Sequence, residues 1–151
     1  MSSTRAVNLW FVDTNVLLYT LDASSPSKQA AALQWRDALW EHRAGCVSWQ
    51  VLHEFYVNAT GKMQAPAGVA RAVVEAYAQW PVSGFSLLLV QRAWHWADHA
   101  GISYWDALIL ASAERSGCRW LLSEDFQDGR KYGPVQVVDP FRRHPTGPFG
   151  S

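Results

Sequence analysis

Apolar and polar positions fall in short alternating blocks along the chain. Val7-Asn8-Leu9-Trp10-Phe11-Val12 is a compact apolar run of strand formers that stops at Asp13, the pattern of a strand buried in a parallel sheet. A short helix is predicted over 14–21. Ser25-Pro26-Ser27 is a helix start, and 28–42 carries helical apolar spacing at Ala31, Leu33, Trp35, Ala38 and Leu39 before Ala44-Gly45 breaks it. Cys46-Val47-Ser48 predicts a strand and 49–59 a helix. Beyond a loop framed by Thr60-Gly61 and Ala65-Pro66, the pattern predicts a helix over 67–80 and a short strand over 82–85. Helices follow over 86–100, closed by Gly101, and over 103–116, stopped by Gly117. Strands at 119–123 and 135–138 flank a polar loop at 124–133. Short apolar strands alternating with helices predict an α/β fold on a parallel sheet. No repeat or linker interrupts the pattern. Residues 1–140 read as one domain, and 141–151 as an irregular C-terminal tail.

Composition narrows the picture. At 151 residues the chain is long enough for one domain with a substantial core, and 49% hydrophobic against 17% charged excludes disorder, coiled coil and fibrous repeat. Thirteen basic residues balance thirteen acidic ones, which excludes binding nucleic acid by bulk charge but not at a local site. No apolar run approaches the ~18–20 residues of a membrane span, and the N-terminus lacks the features of a secretory signal. Cys46 and Cys118 form no metal spacing and are read as buried free thiols of a cytoplasmic protein.

Four acids do not belong to polar helix faces. Asp13 ends an apolar strand, where open α/β sheets bind ligands, although Asp is equally a favoured helix cap. Glu54 is embedded in Val51-Leu52-His53-Glu54-Phe55-Tyr56-Val57, either on a polar edge or aimed into a cleft. Asp106 lies in an apolar first turn, Ser103-Tyr104-Trp105-Asp106-Ala107-Leu108, with capping-box spacing to Ser103 as its plainer explanation. Asp125 follows Trp120-Leu121-Leu122-Ser123-Glu124, past a strand end, and reads also as an ordinary turn residue. Asp128, before Gly129, is a turn aspartate. Two acids at strand ends and two near helix starts can converge on one edge of a parallel sheet. Packed carboxylates raise one another's pKa unless a cation is present, and hard oxygens without His or Cys select Mg²⁺ or Mn²⁺. Such sites suit phosphoryl chemistry.

The succession Phe11-Val12-Asp13-Thr14-Asn15, His53-Glu54-Phe55, Tyr104-Trp105-Asp106-Ala107-Leu108-Ile109 and Leu122-Ser123-Glu124-Asp125-Phe126 resembles the PIN-domain ribonucleases, and within them the VapC-type toxins of bacterial toxin–antitoxin pairs. The resemblance spans about residues 7–139. It implies a parallel sheet of four or five strands flanked by helices, and a homodimer. It implies metal-dependent hydrolysis of an RNA phosphodiester to a 3′-hydroxyl and a 5′-phosphate. The metal and catalytic stations would be Asp13, Glu54, Asp106 and Asp125, binding one or two Mg²⁺ or Mn²⁺ ions, with Asn15 and Ser123 as polar supports and Asp128 as a loosely matched auxiliary. A cognate antitoxin is the implied partner, and an amphipathic helix carrying a basic side chain into the acids is one way it would bind.

Other signals are weaker. His95 and His99 stand four apart on a helix without the Glu of a zinc motif, and no P-loop, Rossmann or nucleophile-elbow motif occurs. Trp94, Trp96 and Trp105 could stack on bases, but packing in the core or a dimer surface is the favoured reading. Residues 115–143 hold six basic against four acidic residues, including Arg130-Lys131 and Arg142-Arg143. A phosphotransfer fold would want a second acid beside Asp13, where Asn15 stands instead. A non-catalytic adaptor on the same fold is the remaining alternative.

Overall fold

The computed structural model describes residues 8–145. Its elements are β1 (Leu9–Val12), α1 (Thr14–Tyr19), α2 (Pro26–Glu41), β2 (Gly45–Ser48), α3 (Trp49–Thr60), α4 (Ala67–Tyr77), β3 (Val82–Ser83), α5 (Leu87–Ala100), α6 (Tyr104–Arg115), β4 (Cys118–Leu122), β5 (Lys131–Tyr132) and β6 (Val135–Val138). Val7, the predicted start of the first strand, lies outside the described residues. The strands form one sheet in the order β3-β2-β1-β4-β6-β5. All neighbours are parallel except β5, which pairs antiparallel with β6.

The sheet therefore has six strands where four or five are expected. The extra one is a two-residue arm, Lys131 and Tyr132 opposite Gln136 and Val135, folded back over Gly133-Pro134. Gly133 takes a φ of 57°, which glycine adopts without a steric penalty. Two residues cannot display a period, so the arm hides inside a polar loop. Helix α4 also ends earlier than predicted, at Tyr77, because residues 78–80 turn to bring Trp80 onto β2. A Cβ at Gly45 would meet the Trp80 ring at 2.5 Å, so only glycine fits there.

Burial follows the apolar runs. Trp10, Phe11 and Val12 of β1 and Leu121 and Leu122 of β4 are buried, as are Val135, Val137 and Val138 of β6. Trp10 stacks on Trp120 with centroids 4.5 Å apart and tilts against Trp35 at 5.1 Å. The Trp35 indole N–H donates to the carbonyls of Pro140 (3.1 Å) and Arg143 (2.9 Å), tying residues 140–143 to α2. Both cysteines are buried and unbridged. Helices α5 and α6 are fastened by Arg92, whose Nε and Nη2 donate to the Glu114 carboxylate at 2.6 and 2.9 Å beside the Trp96 indole at 3.1 Å. No helix among the described residues is long and apolar enough to cross a membrane.

Because β1, β2 and β4 run parallel, their carboxyl ends emerge on one edge. There the chain passes into α1 at Asp13, into α3 at Ser48, and into a loop at Ser123. Polar side chains stop the strands and start the helices: Asp13 accepts from Thr14 N–H, Ser48 from Val51 N–H, and Ser103 caps α6 by accepting from Asp106 N–H.

Candidate active site

Asp13 is 5% exposed, buried under the sheet edge among apolar neighbours. Burial pushes its carboxyl up to about 7, against hydrogen bonds from Ser123 and Thr14, with repulsion from Asp125 and Asp106 adding to the rise. Asp13 caps α1 through one carboxylate oxygen and meets the end of β4 through the other. Oδ1 accepts from the Thr14 amide at 2.8 Å, and Oδ2 accepts from the fully buried Ser123 hydroxyl at 2.7 Å.

Ser123 links two stations, since its Oγ also accepts from the Asp125 amide at 3.0 Å. Asp125 Oδ2 in turn accepts from Asn15 Nδ2 at 2.8 Å. On the other flank the Thr14 hydroxyl donates to Glu54 Oε1 at 3.0 Å. Asn15, Ser123 and Thr14 thus each hydrogen-bond one or two of the acidic stations. Thr14 is legible only afterwards, as the hydroxyl next to a strand-end acid.

Asp106 is held differently. Its amide donates to Ser103 Oγ at 3.1 Å, the predicted capping arrangement. Its carboxyl is raised by burial, with the Ser103 hydrogen bond opposing and Asp125 adding to the rise. Asp13, Glu54, Asp106 and Asp125 all line one cavity of about 220 Å³, with Thr14, Asn15, Leu18, Gln50, Asn58, Trp105 and Ile109. The four acidic stations are therefore brought together.

Asp128 is not among them. Its carboxylate accepts from the Asp139 amide at 2.9 Å and pairs with Arg143 at 3.1 Å, so it ties the loop to the C-terminal segment as a turn residue. Burial raises this carboxyl, but the Arg143 hydrogen bond, the Asp139 amide and the charges of Arg143 and Arg142 bring it below the usual carboxylate range. The tryptophans also divide. Trp96 packs against the core, whereas Trp94 and Trp105 are 52% and 62% exposed, so core packing fails for these two. Trp105 flanks the acids instead.

Whether the residues suit a divalent cation can be judged from the donors. Among the described residues no three His, Cys, Asp or Glu side chains stand close enough to cage an ion by themselves. Mg²⁺ does not require that: it keeps several waters and takes one or two carboxylates plus substrate phosphate oxygens. The cavity supplies only hard oxygen donors and no His or Cys. Asn15 Oδ1 is buried without a hydrogen-bond partner, and burial raises the Asp13 carboxyl, a cost that a cation alongside would offset. The donor set fits.

A second cleft, about 620 Å³, adjoins the first and shares Asn15, Leu18 and Asn58 with it. Its far wall carries Tyr19, Asp22, Lys62 and Met63.

An α/β sheet with acids at its carboxyl edge is the architecture of a family of single-domain proteins, and the sequence carries that family's signature. Residues 10–129 match the family model for the PIN domain, and the chain belongs to the PIN-domain family. The fold is shared with a toxin–antitoxin complex from Klebsiella pneumoniae (20% identity over 86% of this chain and 96% of that one, TM-score 0.60). It is shared with VapC20 of Mycobacterium tuberculosis, a sarcin–ricin loop cleaving toxin (21%, 77% and 91%, TM-score 0.56). It is shared also with a DNA-bound VapBC from Salmonella typhimurium (15%, 87% and 98%, TM-score 0.59). No curated protein matches the chain.

Proposed function

We propose that the chain is a divalent-metal-dependent endoribonuclease, the toxin of a toxin–antitoxin pair. The observation that carries this reading is the convergence of Asp13, Glu54, Asp106 and Asp125, from four separate segments, on one cavity at the sheet edge. The fold neighbours that are toxins or toxin–antitoxin complexes support it. Asp13, Glu54, Asp106 and Asp125 would hold Mg²⁺ or Mn²⁺, which when bound acidifies a water and stabilises charge growing on phosphate. The chain's own side chains do the positioning. Ser123 keeps Asp13 and Asp125 in register, Asn15 orients Asp125, and Thr14 orients Glu54. In the hydrolysis the water oxygen bonds to phosphorus and the P–O3′ bond breaks. The 3′ oxygen gains a proton, leaving a 3′-hydroxyl and a 5′-phosphate. The adjoining cleft suits the RNA strand, with Lys62 for a phosphate.

The catalytic unit is residues 1–140, with 141–151 as a tail. The working form is a cytoplasmic homodimer restrained by a cognate antitoxin. The test is to incubate partner-free protein with total bacterial RNA in Mn²⁺ or EDTA and map new ends by sequencing. Discrete Mn²⁺-dependent cuts, absent with Asp106→Asn, are expected. Folded protein that binds no Mn²⁺ and makes no cuts would promote the non-catalytic adaptor.

A further inference from the structure

One side chain in the acid cavity remains unused by this mechanism. Gln50, in the first turn of α3, is 6% exposed, and neither its Oε1 nor its Nε2 has a hydrogen-bond partner. Buried carboxamides are normally paired, because an unpaired one gives up water and receives nothing in return. Gln50 lines the same cavity as Asp13, Glu54, Asp106 and Asp125. It stands one helical turn before Glu54, which places the two on one face of α3. The hydroxyls of Thr14 and Ser123 are already engaged, with Glu54 and Asp13.

The orphaned atoms specify their ligand. Oε1 needs a donor and Nε2 needs an acceptor. A bare cation would satisfy only the first, and a phosphate oxygen only the second. A water next to an anionic oxygen satisfies both. We propose that Gln50 is a positioning residue that holds a water carried by the divalent ion, Oε1 accepting from it while Nε2 donates to the anionic oxygen alongside. A neutral amide does this without adding a fifth negative charge to carboxylates that already repel. The proposal rests on the metal-site reading above.

The experiment compares wild type with Gln50→Met, which keeps the volume and removes both polar atoms. Three quantities are read: melting temperature in EDTA, Mn²⁺ affinity by calorimetry, and kcat and KM for RNA cleavage. Gln50→Met should melt higher by roughly 3 °C, since an unpaired buried amide is gone, and bind Mn²⁺ about tenfold more weakly, the usual loss when an outer partner of a metal site is removed. Its kcat should fall with KM for RNA unchanged. A lower melting temperature would mark Gln50 as a structural residue, and unchanged Mn²⁺ affinity would equally overturn the proposal. Gln50→Glu is the second variant: it keeps the shape and the acceptor but lacks the N–H donor. It should retain Mn²⁺ and lose kcat, and cleavage at the wild-type rate would remove any role for Nε2. If wild type binds Mn²⁺ but cuts no RNA, the nuclease reading fails while the affinities still decide on Gln50. If wild type binds no Mn²⁺, both fall.

Discussion

On the strand side of the cavity, Asp13, Ser123, Asp125 and Asn15 are joined in one chain by hydrogen bonds of 2.7, 3.0 and 2.8 Å, with the buried Asn15 Oδ1 left without a partner. On the helix side, Asp106 turns to its own cap residue Ser103, and Gln50 has no partner. The strand side is a preorganised floor, anchored in buried β1 and β4. On the helix side only Glu54 is tied to the floor, through the Thr14 hydroxyl, and the Gln50 amide is left for whatever enters. A site arranged this way fixes the geometry of half its groups before binding and satisfies the rest through the ligand.

The floor carries the largest expected effect, and it is a pH effect. Asp13 titrates near 7 in the folded metal-free chain and near the ordinary aspartate value when unfolded. Between those values the unfolded chain has lost its proton while the folded chain keeps it, so the contribution of Asp13 to stability is full below about 4 and is lost as pH rises to about 7. The loss amounts to about 4 kcal/mol. Urea melts in EDTA across this range should show the decline, and Asp13→Asn should flatten it; an equal slope in both proteins would remove Asp13 as the source. Next comes the helix side. Asp106→Asn should lower cleavage by about 10²-fold or more, about 2.7 kcal/mol of transition-state stabilisation. Its melting temperature should stay near wild type, because the carboxyl is tied only to Ser103; a collapsed fold would show that the looser side is structural after all. Ser123→Ala then tests the floor itself. It strips a partner from Asp13 Oδ2 and from the Asp125 amide and should cost about 2 kcal/mol in chemical denaturation. A cost near zero would mean that water replaces the hydroxyl and that the floor is not preorganised. The smallest effect is expected at the periphery, where Lys28→Met breaks the half-buried pair with Glu124 (2.8 Å) at about 0.5 kcal/mol.

The strand side was the more legible in sequence. An apolar run cut off by Asp13, and another followed by Ser123-Glu124-Asp125, announce a buried strand and a polar exit in the same few residues. Glu54 and Asp106 were recognisable because acids are out of place in apolar helical turns. Gln50 was not, since a glutamine in a helix's first turn looks like any solvated residue until tertiary packing buries it. Arm β5 was too short to show alternation. Trp94 and Trp105 carry the residue type of a core but the exposure of a surface, and only the path of α5 and α6 distinguishes the two.

The loop that carries Asp125 is lashed at both ends by charge. Glu124 grips Lys28, which also lies over the rings of Tyr19 and Phe141 at 4.8 and 5.0 Å, and Asp128 grips Arg143. Both bonds are open enough to solvent for counterions to compete with them, and the Debye length shrinks from about 10 Å at 0.1 M salt to about 3 Å at 1 M. Ionic strength therefore reaches Asp125 from outside the cavity: concentrated salt slackens the lashings while the buried hydrogen bond between Ser123 and Asp13 holds.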